Sequence, residues 1–418
     1  MGKPIMKLRS ITAFIAFALV APTNAEKINL EVYASNLDSI AIAIVPFKGV
    51  GDSRIAKDEP WKVLAADLEF SGKFSVNRVA KADSSQFAQK NIPVYVDGDF
   101  EMFGQQYVRI DCSLRDARSG SELAARKYEC DVNHLRPIGH KFANELVKLL
   151  FNEKGIFESK MLFVKDDGAK KNIMIMDWDG TNVHALTITS TVNIFPTFVD
   201  SSTFLWTSFI RGHPDIYKAT IGGRGGAIMA SRFIQTSPAY SAVTGAVAFA
   251  SSRDGNMEIY SCDLDGKNIK RLTKASSIET APCWSPNGYQ IAFTSDKTGS
   301  PRIFIMDADG TKVHQLAFEG GYQDSPAWSP KGDKIAYQCM AGGKFEIFTT
   351  QLDGSNTFQV TSCPGSNEYP AWAADGEHIV FSSGRGGSID LYAIKADGTH
   401  LTRLTTSGNA KMPDWGNW

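Results

Sequence analysis

The residues of this sequence that could do chemistry are seven histidines and a set of acidic, glycine-containing turns. The histidines are scattered along the chain, at His134, His140, His184, His213, His314, His378 and His400. His184 and His314 follow Asp-Gly pairs at the same distance, which predicts equivalent, solvated places in a repeat rather than metal ligands. The Asp-x-Asp-Gly runs lack the later ligands and the bidentate glutamate of a calcium loop, so they indicate turns. The sequence therefore predicts no metal site and no cofactor.

The sequence also lacks the motifs of nucleophilic catalysis and of phosphate binding. The chain has no G-x-S-x-G elbow of a serine hydrolase. The glycine-rich stretches at 251–255 and 383–387 do not open a helix, so they predict loops rather than phosphate cradles. The six cysteines show no metal-binding spacing, and most are predicted to be buried free thiols. The 44 basic and 45 acidic residues balance, which argues against a nucleic-acid partner.

A repeat of 44 residues positions these turns. Its first landmark is an Asp-Gly pair, which begins at Asp179, Asp265, Asp309, Asp353 and Asp397. Its second landmark is a Pro-x-aromatic motif, which begins at Pro196, Pro238, Pro282, Pro326, Pro370 and Pro413. The strands between them are apolar on both faces, as in 303–306. Four such strands in a unit of about 40–45 residues predict a β-propeller blade, whose two faces are covered by its neighbours.

The strands, named A to D outward from the Pro-x-aromatic motif, are out of phase at the two ends of the repeat. The unit at 161–187 has no strand A before it, and the motif at 413–415 has no strand after it. We expect residues 412–416 to pair with the strand near 161–164, because this closes the ring and removes two open edges. Counting then predicts six blades, with large aromatic residues packed between them at Trp284, Trp328, Trp372 and Trp415.

The part before the propeller, residues 26–158, has a different pattern. It indicates a small α/β domain with a buried strand, a helix, a hairpin and a second helix, at 39–47, 60–72, 106–130 and 135–150. Residues 1–25 combine a basic start, an apolar run and small residues before a probable cleavage site, which predicts a secretory signal peptide. No later run is long enough to cross a bilayer, so the mature chain is predicted to be exported and not membrane-spanning. The propeller then occupies 159–418.

Motifs in both parts of the chain resemble the TolB family of the Gram-negative Tol–Pal envelope system. The N-terminal part carries IAIVPF, AADLEFSGKF, LRPIGH and KGIF, at 42–47, 65–74, 135–140 and 154–157. The blades carry the Pro-Ala-Trp-Ser-Pro-x-Gly pattern of a six-bladed propeller. His140 lies in the LRPIGH motif and is expected to pack between the domains or at the surface. The resemblance agrees with an α/β N-terminal domain followed by an all-β six-bladed propeller that its C-terminal strand closes.

The resemblance implies a periplasmic adaptor without catalytic activity. Such an adaptor links Pal, a lipoprotein that grips peptidoglycan, to TolA of the inner-membrane motor. It supports outer-membrane integrity and constriction at cell division, and the resemblance extends to contacts with other outer-membrane proteins and colicins. Segment 26–38 stands where the family engages TolA, and its alternating apolar residues suit the addition of a strand to a partner's sheet. The expected TolA-binding residues are Ile28, Asn29, Leu30, Glu31, Val32 and Tyr33.

Strand direction predicts which face of the ring binds a partner. Because strands alternate in direction, the A–B and C–D turns lie on one face, and the B–C and D–A loops lie on the other. The second face carries the variable sequences, and binding residues concentrate on variable loops held by a rigid scaffold. The resemblance implies that Pal docks on this loop-bearing mouth. Tyr322 and Tyr369 are the expected anchors, because tyrosine is enriched among the residues that dominate binding at interfaces. The expected Pal-binding residues are Gln235, Thr236, Glu279, Thr280, Tyr322, Gln323, Asp324, Glu368 and Tyr369.

An exported propeller enzyme is the alternative function. A lactonase-like or lyase-like propeller would place His, Asp or Glu ligands around its tunnel and act on a small envelope substrate. An enzyme needs convergent titratable groups at the tunnel mouth, whereas an adaptor needs varied loops with a few aromatic or charged anchors.

Overall fold

The structure, a computed structural model, describes residues 39–49, 60–104, 106–316 and 321–416. The predicted signal peptide and the six expected TolA-binding residues lie outside these ranges. The described chain forms an α/β domain followed by a β-propeller, which is the predicted fold class.

The N-terminal domain is a mixed sheet covered by helices. Its strands are β1 Ile40–Ile44, β2 Lys48–Gly49, β3 Phe74–Arg78, β4 Val94–Phe103, β5 Tyr107–Asp116 and β6 Glu122–Asp131. The sheet order is β3-β1-β4-β5-β6, with β2 paired to β4. β1 runs parallel to β3 and β4, while β4, β5 and β6 form an antiparallel meander. The helices are α1 Pro60–Phe70, α2 Ser84–Gln89 and α3 Arg136–Phe151.

Helices α1 and α3 form because their apolar residues recur at helical spacing. In α3 the buried stripe consists of Ile138, Phe142, Leu146 and Leu150. Asn152 ends this helix in the left-handed conformation, at φ 55°. Both helices stand where the sequence predicts them. The prediction missed β3, α2 and β4, since α2 is short and polar and β4 is interrupted by Asp97, Gly98 and Asp99.

Each of the six blades is a four-stranded antiparallel sheet in the order A-B-C-D. Blade 2 is formed by Asn193–Phe198, Thr203–Ser208, Asp215–Thr220 and Gly226–Met229. Blade 3 is formed by Gln235–Ser241, Ala246–Ser251, Glu258–Asp263 and Lys270–Arg271. Blade 4 is formed by Glu279–Trp284, Gln290–Ser295, Arg302–Asp307 and His314–Gln315. Blades 5 and 6 are formed by Gln323–Trp328, Lys334–Ala341, Lys344–Gln351 and Phe358–Gln359; and by Asn367–Trp372, His378–Ser383, Asp390–Lys395 and Thr402–Arg403.

Blade 1 joins the two ends of the repeat, as predicted. Its strands A to D are Ala410–Trp415, Lys160–Asp166, Lys171–Asp177 and His184–Ala185. The C-terminal strand pairs antiparallel with the first propeller strand, with Lys411 opposite Val164 and Trp415 opposite Met161. The ring is therefore closed by hydrogen bonds between residues about 250 positions apart in the chain.

The strand A tryptophans pack between blades, as expected. Trp284 and Trp372 are buried, and each indole N–H donates to a carbonyl of the preceding blade, at 3.2 Å to Ala239 and 3.0 Å to Ala327. Trp415 is 1% exposed and donates at 2.7 Å to Ser159 Oγ. The Trp284 and Trp372 contacts tie blades 4 and 6 to the blades before them, and the Trp415 contact ties strand A of blade 1 to the residue before strand B of the same blade.

The N-terminal domain docks on the propeller face that carries the A–B and C–D turns. The Phe70 ring at the end of α1 lies between Trp178 of blade 1 and His378 of blade 6, with ring centroids 4.5 Å away on each side. His378 Nε2 lies 3.1 Å from the Phe70 carbonyl oxygen, and Lys73 Nζ lies 3.1 Å from Glu377 Oε2. The opposite face, formed by the B–C and D–A loops, is not covered by the part of this domain that the structure describes.

Candidate partner-binding face of the propeller

The candidate site is the loop face, the end of the ring where the D–A segments lead into strand A. Strand A begins three residues earlier than the Pro-x-aromatic motif suggests. In all six blades a bulge interrupts its pairing with strand B, just before the proline. The residue at the bulge adopts a left-handed φ of 48–56°, and these residues are Phe195, Ser237, Ala281, Ser325, Tyr369 and Met412.

A side chain of the neighbouring blade stabilises the bulge in several joints. The hydroxyl of Thr207 accepts the N–H of Ser237 at 3.2 Å, and the Gln338 side-chain oxygen accepts the N–H of Tyr369 at 2.9 Å. The Ser382 hydroxyl accepts the N–H of Met412 at 3.1 Å. None of the six bulge residues is glycine, so these bonds offset the steric cost of left-handed backbone.

The earlier start of strand A corrects part of the expected site. Gln235, Glu279 and Gln323 were expected in loops, but each is the first residue of a strand A. Their exposed fractions are 0%, 2% and 0%, because their side chains turn into the joint with the preceding blade. The loop assignment of these three residues is wrong, and their side chains offer no surface to a partner in this conformation. Thr236, Thr280, Asp324, Glu368 and Tyr369 were also expected in loops and also lie within strand A, so of the nine expected residues only Tyr322 lies in a D–A loop.

The next residue along strand A points the other way, because side chains alternate along a strand. Thr236, Thr280, Asp324 and Glu368 share this place in blades 3 to 6 and are only half-buried. The structure therefore places these four expected residues at the same position of strand A, the innermost strand of each blade. Burial raises the pKa of both Asp324 and Glu368 above the ordinary range, and proximity of the two carboxyls adds to the rise for Glu368.

The two expected tyrosine anchors differ in position. Tyr322 lies in the D–A segment of blade 5, is 40% exposed, and packs edge-on against Phe345 at a ring distance of 5.4 Å. Tyr369 is the bulge residue of blade 6 and faces Phe195 of blade 2 at a ring distance of 6.4 Å. Burial raises the pKa of Tyr369 to about 12. Tyr322 is thus a surface residue, while Tyr369 is a residue of the strand A bulge.

Two exposed residues of this face were missed by the sequence reasoning. Ile234 and Ile278 stand immediately before strand A in blades 3 and 4, where blade 5 holds Tyr322, and they are 43% and 50% exposed. The backbone N–H of each donates to the B–C loop of its own blade, to Ser252 Oγ at 3.0 Å and to Asp296 Oδ1 at 2.8 Å. The exposed arc is defined here as Ile234, Ile278 and Tyr322. Its signal in the sequence is an apolar residue recurring every 44 positions in an otherwise polar segment.

A second concave site lies at the junction of the two domains. A cleft of about 590 Å³ is bordered by α1, by the start of α3 and by propeller turns, with Lys62, Asp67, Arg136, Trp178, His400 and Leu401 among its lining residues. Beside it His140 Nδ1 lies 2.8 Å from Asp67 Oδ2 and accepts the Trp178 indole N–H at 3.3 Å. His140 therefore packs between the domains, the first of its two expected roles. Burial raises the pKa of Asp67 to about 7, although the contact with His140 opposes this rise.

The described part of the chain offers neither a metal-binding cluster nor a membrane-spanning helix. Over the described ranges, no three His, Cys, Asp or Glu side chains are grouped as a metal ion would require. His184 and His314 lie exposed on outer strands, where the repeat predicts them. Within the same part of the chain, none of the helices has the length and apolar character needed to cross a membrane. All six cysteines are free.

Known protein families match the N-terminal domain and the propeller separately. The family model described as the TolB amino-terminal domain matches residues 28–123, and that of the TolB beta propeller domain matches residues 147–418. A Tol-Pal system protein TolB of Geobacter sulfurreducens is 34% identical over 209 residues, which cover 46% of this chain and 48% of that protein. A Tol-Pal system protein TolB of an Anaeromyxobacter species is 30% identical over 289 residues, covering 65% of this chain and 67% of that protein.

The same fold has been seen in a crystal structure of TolB from Acinetobacter baumannii. That structure superposes with a TM-score of 0.79 at 23% identity and covers 90% of this chain and 96% of its own. The sequence matches span about half the length of the Geobacter relative and two thirds of the Anaeromyxobacter relative. The propeller family model by itself accounts for well over half of the residues, and on this evidence the chain belongs to the TolB family.

Proposed function

We propose that this chain is a non-catalytic periplasmic adaptor of the Tol–Pal envelope system. Its Geobacter and Anaeromyxobacter relatives are both named Tol-Pal system protein TolB, which supports a place for this chain in that system. A predicted signal peptide at 1–25 supports export to the periplasm. The adaptor binds Pal through the loop face and TolA through segment 26–38. In this role it supports outer-membrane integrity and constriction at cell division.

The observation that carries the Pal proposal is the exposed arc. Three neighbouring blades present a large apolar side chain at the same place, on the face opposite the N-terminal domain. Large apolar anchors at the centre of an interface supply most of its binding free energy when they are desolvated. Thr236, Thr280, Asp324 and Glu368 are the second residues of strand A in blades 3 to 6. They provide polar contacts around the apolar anchors, as interfaces of this kind require.

The test uses one double variant and one matched control. Ile278→Ala combined with Tyr322→Ala removes two anchors from the loop face. Tyr289→Ala is the control, because Tyr289 is 75% exposed and lies in an A–B turn on the opposite face. Isothermal titration with the soluble domain of Pal from the same organism is expected to show binding weakened by about 2–4 kcal/mol in the double variant only. Weakening by Tyr289→Ala with an unaffected double variant would place the site on the wrong side of the ring.

A further inference from the structure

Two joints between blades contain a corresponding polar contact on the loop-face side. In each of these two joints the first residue of strand A lies against an acidic residue near the start of strand C in the preceding blade. At the joint of blades 5 and 6 these residues are Asn367 and Glu346, and the Asn367 amide donates to Glu346 Oε2 at 2.7 Å. Both side chains are buried, at 0% and 1% exposure. The amide supplies the donor that a buried carboxylate needs.

The joint of blades 3 and 4 holds two carboxyl groups in these places. Glu258 and Glu279 are 0% and 2% exposed. The Glu279 N–H donates to the carbonyl oxygen of Met257 at 3.0 Å, which brings the two glutamates side by side across the joint. Glu258 is fully supplied with donors: Arg271 at 2.7 Å, Thr273 Oγ1 at 2.5 Å and the Ala275 N–H at 2.8 Å. These donors hold the pKa of Glu258 below its ordinary value, although burial acts in the opposite direction.

Glu279 lacks such an environment. Its Oε1 accepts the hydroxyls of Ser277 and Ser295, at 2.5 Å and 2.8 Å. Its Oε2 is buried and has no donor among the described residues. Burial and the contact with Glu258 raise the pKa of Glu279 to about 7, against the effect of the two serine hydroxyls. A proton on Oε2 would remove the repulsion between the carboxylates and provide the donor that Asn367 provides in its own joint.

Both carboxyls also hold the D–A segment that carries part of the exposed arc. The Ala275 N–H is bound by Glu258, and the Ser277 hydroxyl is bound by Glu279. The next residue is Ile278, which is half exposed on the loop face. Any outward movement of an ionised Glu279 would therefore displace this segment.

We propose that Glu258 and Glu279 share one proton across the blade joint, and that this proton holds segment 275–279 in the position that presents Ile278 to the partner. The regulatory half of this proposal rests on the proposed Pal-binding function. The other charged or titratable groups at this joint are Arg271, Tyr260 and Asp254 of blade 3, and Asp296 on the B–C loop of blade 4. Arg271 already pairs with Glu258 and with Asp254, and no cation is paired with Glu279 among the described residues.

The shared proton is tested by stability, without any partner. Glu279→Gln keeps the shape and supplies a permanent donor. Because a raised pKa stabilises the folded state at low pH only, the wild type is expected to lose melting temperature relative to Glu279→Gln between about pH 4.5 and pH 7. Asn367→Asp, which installs a second carboxyl pair at the joint of blades 5 and 6, is expected to steepen this loss. Parallel melting curves for the wild type and Glu279→Gln would overturn the shared proton.

The regulatory half is tested by titrating both proteins with the soluble domain of Pal from pH 6 to pH 8. The wild type is expected to lose affinity several-fold at the upper end, while Glu279→Gln stays constant apart from changes common to both proteins. Equal pH dependence in the two proteins would overturn the regulation. Absence of Pal binding by either protein at every pH would overturn the proposed function and the regulation together, while the melting curves would still decide the shared proton.

Discussion

The two faces of the propeller are built from the same repeat but meet different neighbours. The turn face consists of stereotyped A–B and C–D turns, and the N-terminal domain covers it at blades 1 and 6. The loop face carries variable segments and presents the exposed arc on blades 3 to 5. On both faces, the residues that contact another domain, or are exposed to a partner, occupy positions whose residue type differs between the blades.

Trp178 illustrates this rule on the turn face. It stands before an Asp-Gly pair, where the other blades have Leu264, Ala308, Leu352 or Ala396. Only the blade 1 residue is large enough to stack with Phe70, and it is 3% exposed in the joint. The repeat thus builds an even scaffold, and single exceptions select where another domain or protein binds.

The largest loss of stability is expected from opening the ring, because the ring supports both faces. Deleting residues 412–418 removes most of strand A of blade 1, including its buried tryptophan. Truncating one buried tryptophan alone costs about 3–5 kcal/mol, and the deletion also exposes two strand edges. We expect the propeller to lose its cooperative unfolding transition in circular dichroism. A truncated chain that melts like the full chain would contradict ring closure by this strand.

Removing segment 26–38 separates the two proposed partners. The segment precedes the N-terminal domain, which covers the turn face, whereas Pal is proposed to bind the loop face. We expect TolA binding to be abolished while Pal binding survives or tightens, as measured by titration with each soluble partner domain. Retention of full TolA affinity by the shortened chain would show that TolA binds elsewhere.

Loosening the turn face tests whether it only holds the domains together. Phe70→Ala removes the ring between Trp178 and His378, and a buried phenylalanine contributes about 3–5 kcal/mol. We expect the wild type to unfold in one thermal transition and Phe70→Ala to unfold in two, one for the N-terminal domain and one for the propeller. Phe358→Ala is the matched control, because Phe358 is a half-exposed residue on an outer strand of blade 5. A similar loss of stability in both variants would contradict a specific role for Phe70.

The smallest expected effect concerns pH at the domain junction. The pKa of Asp67 is about 7 in the folded chain and near its ordinary value of 3.8 when unfolded. The protonated form is therefore favoured by folding, and its contribution is lost as the pH rises toward 7. We expect Asp67→Asn to reduce the fall in unfolding free energy over this range, by at most about 1.4 kcal/mol per pH unit. Chemical denaturation at pH 5, 6 and 7 would measure it, and identical slopes would contradict the prediction.

The sequence by itself determined the architecture of this protein. Asp-Gly turns and Pro-x-aromatic motifs recur at a constant spacing, and the strands between them are apolar on both faces. Such strands are stable only between neighbouring blades, so the period predicts the propeller. The offset between the first and last units predicts that strand A of blade 1 comes from the C-terminus, and the pairing of Lys411 with Val164 confirms it.

Only the tertiary structure decided which loop-face residues are available. The bulge before each proline has no glycine or asparagine to indicate a left-handed backbone, because side chains of the neighbouring blade stabilise that conformation. That bulge sets where strand A begins, and it buries Gln235, Glu279 and Gln323 while leaving Ile234, Ile278 and Tyr322 exposed. The docking of the N-terminal domain on the turn face was equally beyond the sequence, because it depends on contacts such as Phe70 with His378, 308 positions apart in the chain. Local patterns specify strands and turns, whereas burial at a joint depends on which distant side chains meet there.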